Sequence, residues 1–158
     1  MKKDYIVLNG ADATYTNSRL QWNLAPNTYF KNLAQDGHED IYMKLKSINF
    51  TVEGTADSVA HSAMIDTNLK FQNMEQTSNN AVLGCVGIDI KQDSATDYYI
   101  TPTNQLNGIE LKTSKFNTIQ VGVKYQNAYL DFSLNGLQSW FTAVLEIEYR
   151  DNNLKELL

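Results

Sequence analysis

The stretch Phe141-Thr-Ala-Val-Leu-Glu-Ile-Glu-Tyr149 decides the fold. Phe141, Ala143, Leu145, Ile147 and Tyr149 share one parity, while Glu146, Glu148 and Arg150 share the other. Successive side chains of a strand point to opposite faces, so the pattern predicts a long strand with a core face and a wet face. Leu137, Trp140, Phe141, Val144, Leu145 and Glu148 also fit helical spacing. The β-branched Thr142, Val144 and Ile147 and the aromatic Phe141 and Tyr149 favour the strand. We expect a helical turn over Leu137–Trp140 and a strand from about Phe141.

Working outward, the same alternation recurs. Tyr5–Leu8 reads as a strand closed by Asn9-Gly10, a dipeptide suited to a tight turn. Ala13–Leu24 follows, with Leu20, Trp22 and Leu24 on one face, and Pro26 closes it. Residues Asn27–Asp40 read as a polar loop anchored by Tyr29, Phe30 and Leu33. In Ile41–Val52 the apolar parity changes midway, from Ile41, Met43 and Leu45 to Ile48, Phe50 and Val52. A strand that keeps one face buried must bend or bulge at such a change. Ala81–Ile90 shows a second change, from Leu83 and Cys85 to Val86, Ile88 and Ile90, beside Gly84 and Gly87.

Leu69 and Phe71 mark a further short strand. Tyr98–Thr101 and Ile109–Leu111 are expected as separate strands, divided by Pro102 and Asn107-Gly108. Ile119, Val121, Val123 and Tyr125 alternate cleanly, and Leu130, Phe132 and Leu134 do so up to Asn135-Gly136. About eight to ten short strands with turn signals between them, and no long helix, predict an all-β sandwich. Residues 1–151 are read as one domain and 152–158 as a short carboxy-terminal tail.

Composition narrows the function classes. A chain of 158 residues buries enough surface to fold without a disulfide or metal staple. Its net charge of −5 argues against a general nucleic-acid binder, so Lys44, Lys46, Lys112, Lys115 and Lys124 read as scattered, solvated side chains. The single Cys85 rules out an intramolecular disulfide and, within an apolar run, is expected to be a buried thiol. No apolar run approaches the ~20 residues of a membrane-spanning helix, and the short apolar run after Lys2-Lys3 is too brief for a signal peptide. Synthesis in a cytoplasm is the expectation.

No residue stands out as catalytic, cofactor-binding or metal-ligating. Asp36-Gly-His-Glu-Asp40 has oxygen ligands for a hard cation but lacks any metal-loop spacing, so it reads as a solvated acidic loop. His38 and His61 are the only histidines, a poor supply for zinc or for a cupin-type metal site. Nucleophile elbows and phosphate-cradling glycine loops are absent from the sequence. Glu146 and Glu148 read as solvated outer-face carboxylates rather than a glycosidase pair. Asn49-Phe-Thr51 matches a glycosylation sequon by chance, within a strand. Trp22 and Trp140 are expected in the core, and one of Tyr98 and Tyr99 is expected to face outward.

The ordering of these segments resembles the single jelly-roll capsid proteins of icosahedral double-stranded DNA viruses: penton and minor capsid proteins of virophages, Polinton-like viruses and giant viruses. The likeness rests on Tyr5–Tyr15, Leu20–Leu24, Ile41–Phe50 and Trp140–Tyr149. It implies a single jelly-roll sandwich of two facing antiparallel sheets with about eight strands. The role it implies is structural and non-enzymatic. The protein would sit in the virion, without a cofactor, self-associating as a homopentamer and touching neighbours such as a major capsid protein. Some pentons carry a sizeable inserted domain, for which this chain has no room. The rival reading is a carbohydrate- or receptor-binding sandwich resembling a fibre head or lectin, prompted by Tyr98-Tyr99. An enzymatic jelly roll is the third.

Overall fold

The computed structural model describes residues 2–24, 41–55, 62–69, 81–94, 97–113, 118–125, 128–133 and 136–149. Twelve strands run in chain order: β1 (Lys2–Asn9), β2 (Thr14–Thr16), β3 (Arg19–Asn23), β4 (Ile41–Asn49), β5 (Val52–Thr55), β6 (Ser62–Thr67), β7 (Ala81–Gln92), β8 (Asp97–Gly108), β9 (Leu111–Thr113), β10 (Thr118–Tyr125), β11 (Ala128–Tyr129) and β12 (Thr142–Tyr149). One sheet has the order β1-β12-β4-β9, and the other β2-β3-β10-β6-β7-β8-β5, with β11 against β10. Every pairing is antiparallel. The expected all-β sandwich is therefore what forms.

Setting aside β2, the two-residue β11, and the β8–β5 extension beyond β7, eight strands remain. In chain order they are β1, β3, β4, β6, β7, β9, β10 and β12. The first sheet then joins first, eighth, third and sixth; the second joins second, seventh, fourth and fifth. That alternation between sheets is the order of a jelly roll, in which two Greek keys wrap around one core. β12 lies centrally, between β1 and β4, which explains why its sequence alternates so sharply. Phe141, Ala143, Leu145 and Ile147 are all buried, as their parity predicted. The short 3-10 turn at Leu137–Trp140 also forms as expected, led by Gly136 at φ 70°.

The parity changes become bulges. Val144 pairs with Ser47 and Leu145 with Leu45, so Lys46 is the extra residue that restores the buried face of β4. The predicted Ile41–Val52 strand is in fact two. It breaks at Phe50-Thr51, and Val52 opens β5 in the opposite sheet. In β7 the shift falls at Leu83, earlier than the sequence suggested. Cys85 is consequently half-buried, opposite the exposed Met64, rather than a core thiol.

Ala13–Leu24 is a hairpin, β2 and β3, turned at Asn17 and Ser18 with φ 52° and 63°. Two successive positive φ values suit the right-handed twist of a two-residue hairpin, and an Asn-Ser pair announces this less clearly than Asn-Gly. Pro102 does not end a strand. β8 runs through it, and Thr103–Gln105 arch outward where the ladder slips between Ile88–Pro102 and Val86–Leu106. A proline is tolerated at such an irregularity because its missing donor is not needed there. Leu130 and Phe132 are buried beyond the two-residue β11, with Leu130 still donating its amide to the Val123 carbonyl of β10 at 2.9 Å. Leu69 is buried just beyond β6 without forming a strand, and Phe71 lies outside the described residues. So do Leu134, the loop before Asp40 and the 152–158 tail.

Phe132 is the hub of the core. Its ring meets Tyr15, Phe50 and Phe141 edge-on, at centroid distances of 6.4, 6.1 and 5.5 Å. Edge-to-face geometry sets the positive rim of one ring against the negative face of another. Trp22 packs on Phe141 at 5.7 Å and donates its indole N–H to the Asn9 carbonyl at 2.7 Å. Those contacts link β3 to the β1–β12 pair across the sandwich.

Candidate functional site: the outer face and free edge of the β1 sheet

The described residues hold no group of three or more His, Cys, Asp or Glu side chains placed to bind a metal. His38 and His61 lie outside the described residues. What the structure does present is a surface. β1 is an edge strand among the described residues, and Tyr5 and Val7, on its outward face, are 57% and 65% exposed. Trp140, expected in the core, is 67% exposed. It closes the turn before β12, at the end of the pair where Asn9 meets Thr142. The same turn buries Leu137 below it, so the backbone reversal places Trp140 on the solvent side.

Among the described residues, a groove of roughly 340 Å³ lies between β1 and the end of β3. Ile6 and Leu8 of β1, Trp22 and Leu24 from the end of β3, and Asp12 at the connecting turn line it. Long edges without charge or proline are uncommon because they invite another chain to pair. From Tyr5 to Asn9 this edge carries no charged residue at all.

The rest of the face is ionic. Lys3 Nζ lies 2.8 Å from one oxygen of Glu146 and 3.2 Å from Glu148, and Lys46 Nζ lies 3.2 Å from the second Glu146 oxygen. The bulge at Lys46 is what brings its ammonium over Glu146. Glu146 was expected on a wet surface; it does point outward, yet its neighbours cover it. Hydrogen bonding to Lys3 lowers its pKa from the ordinary 4.5, against a smaller effect of desolvation, with further help from Lys46. Hydrogen bonds to Glu146 and Glu148 correspondingly raise Lys3 above its ordinary 10.5.

A carboxylate with a depressed folded pKa contributes stability above its unfolded value, and that stability is lost as pH falls through the folded value. Lysine with a raised pKa contributes below its ordinary value and loses the contribution as pH rises through the folded one. Urea unfolding across the acid range should show the parent losing stability below about pH 4.5 more steeply than Glu146→Gln. Parallel acid limbs for the two proteins would mean that the pairs do not form.

Of the lysines named from sequence, Lys44, Lys46 and Lys112 share this face, Lys112 standing opposite Tyr42. Lys124 belongs to the other sheet and Lys115 lies outside the described residues. The scattered reading therefore holds only in part. On the second sheet, Arg19 donates to the Tyr129 hydroxyl at 2.7 Å, and that hydroxyl donates to Asp66. Tyr129 lies across Gly122, where a Cβ would meet its ring at 2.8 Å. This buried cluster ties β3, β6, β10 and β11 together and reads as structural. Tyr98 and Tyr99 are both half-buried.

No described helix is long and apolar enough to cross a membrane. No protein-family model, curated protein or solved structure matches the chain.

Proposed function

We propose that this chain is a structural component of an icosahedral viral capsid, a penton or minor capsid protein acting by self-association. On this reading it is made in the host cytoplasm, resides in the virion, and works without catalysis or cofactor. It contacts further copies of itself, as a homopentamer, and other capsid proteins such as a major capsid protein. Jelly-roll order is compatible with many roles, so fold alone does not decide. The observation that carries the reading is the solvent exposure of Tyr5, Val7 and Trp140 on and beside a strand edge that is uncharged from Tyr5 to Asn9. Apolar side chains grouped at an edge gain by burial against a neighbour. Negative-stain imaging of the purified chain tests it, with closed rings as the expected particles. Fields of single sandwiches at every concentration would remove the penton reading.

The second reading, a carbohydrate- or receptor-binding module, has one observation in its favour. Trp140 offers an exposed aromatic face of the kind that sugars stack on. A glycan array separates the two, and silence across it removes this reading.

A further inference from the structure

The outer face of the β1 sheet differs in charge from the rest of the chain. It carries Lys3, Lys44, Lys46 and Lys112 against Glu146 and Glu148, within a chain whose net charge is −5. Exposure sharpens the contrast. Lys3 and Lys46 are 50% and 45% exposed, whereas Glu146 and Glu148 are 8% and 23% exposed beneath them. Solvent therefore meets ammonium groups, with the apolar Tyr5 and Val7 beside Lys3 on the edge strand itself.

The opposite sheet carries the complement. Where β5, β7 and β8 meet, Glu53 stands across from Tyr99, Thr55 pairs with Asp97, and the Asp93 amide donates to the Asp97 carbonyl at 2.9 Å. Asp89 lies on the same outward side of β7, with Lys91 the local exception. The Tyr99 hydroxyl is pushed up by the carboxylates of Asp93, Glu53 and Asp97. The two patches sit on different sheets, so no copy can satisfy both by itself.

We infer that the lysine face with Tyr5 and Val7 docks the acidic β5–β7–β8 corner of a second copy of this chain, head to tail. The inference rests on the self-association reading and specifies its contact. A heterologous contact of this kind leaves one unused patch at each end, so successive copies add, and the rotation between neighbours sets whether they close into a ring or run on as a filament. Apolar burial at Tyr5 and Val7 supplies affinity, while the charge pattern selects the partner surface and speeds encounter.

The test uses two variants of the full chain. Val7→Glu/Lys44→Glu spoils the lysine face, and Asp89→Lys/Asp93→Lys spoils the acidic corner; Val7, Lys44 and Asp89 lie on outward strand faces and Asp93 is exposed just beyond β7. Each variant alone is expected to be monomeric by light scattering, with a parent-like circular dichroism spectrum. Mixed in equal amounts, they should form a heterodimer and nothing larger, because only one intact contact remains between them. Should the first variant misfold, Tyr5→Ser replaces it, with weakened association expected. Variants that assemble as the parent does overturn this contact while leaving self-association standing. A monomeric parent overturns both. Parent binding to a generic DNA duplex, lost in the lysine-face variant, would assign that face to phosphate instead and also overturn the inference.

Discussion

Phe132→Ala should cost about 3–5 kcal/mol of stability, the largest loss of any single truncation named here. Phe132 is fully buried and meets three other aromatic rings. Removing it forfeits the transfer energy of the ring and leaves a cavity between Tyr15, Phe50 and Phe141. These neighbours belong to different elements, so the site cannot collapse without moving a sheet. For a chain of this size the midpoint of thermal unfolding should fall by on the order of 10 °C. Denaturant titration should show a lower midpoint at an unchanged slope. A loss below about 1 kcal/mol would mean that Phe132 is not the hub of the core.

Gly10→Ala carries the second large effect. A Cβ at Gly10 would sit 2.0 Å from the Gln138 carbonyl oxygen and 2.9 Å from Phe141 Cβ. The first obstacle is backbone and cannot swing away. Gly10 also donates its amide to the Phe141 carbonyl at 2.8 Å, and its own carbonyl accepts from the Gln138 side chain at 2.9 Å. The added methyl must therefore push the turn before β12 away from β1, breaking both bonds. We expect a loss of roughly 2–3 kcal/mol by denaturant titration. Stability equal to the parent's would show that the turn packs elsewhere.

Gly10 also marks what a sequence reading can and cannot reach. Asn9-Gly10 suggests a turn that needs positive φ, but Gly10 is required for close approach, and Asn9 caps the Ala11 amide at 3.1 Å. Both uses favour the same dipeptide, so the sequence alone cannot choose. Period-two alternation was legible wherever a strand buries one face, as in β4, β10 and β12. It failed for β6, whose Ser62-Ala-Met-Ile-Asp-Thr67 has a buried acid and an exposed methionine. Asp66 is inside only because Tyr129 and Arg19 reach it from distant strands. Phe132 alternates like a strand residue yet belongs to no strand among the described residues, because burial and ladder membership leave the same mark.

The candidate surface was less legible still. Trp140 reads as core because its neighbours are apolar, and only the turn geometry turns it outward. The covering of Glu146 depends on Lys3 and Lys46, one from each flanking strand, and on the single extra residue of the β4 bulge. Cross-strand partners of this sort depend on register, which short sequence patterns do not carry.

Sedimentation equilibrium of the purified chain at tens of micromolar bears most directly on its role, because self-association is a mass-action property. A shell-forming jelly roll predicts a mass several times that of the 17.9 kDa chain, five-fold for a closed penton ring. A single species at the mass of one chain across the whole concentration range would contradict it.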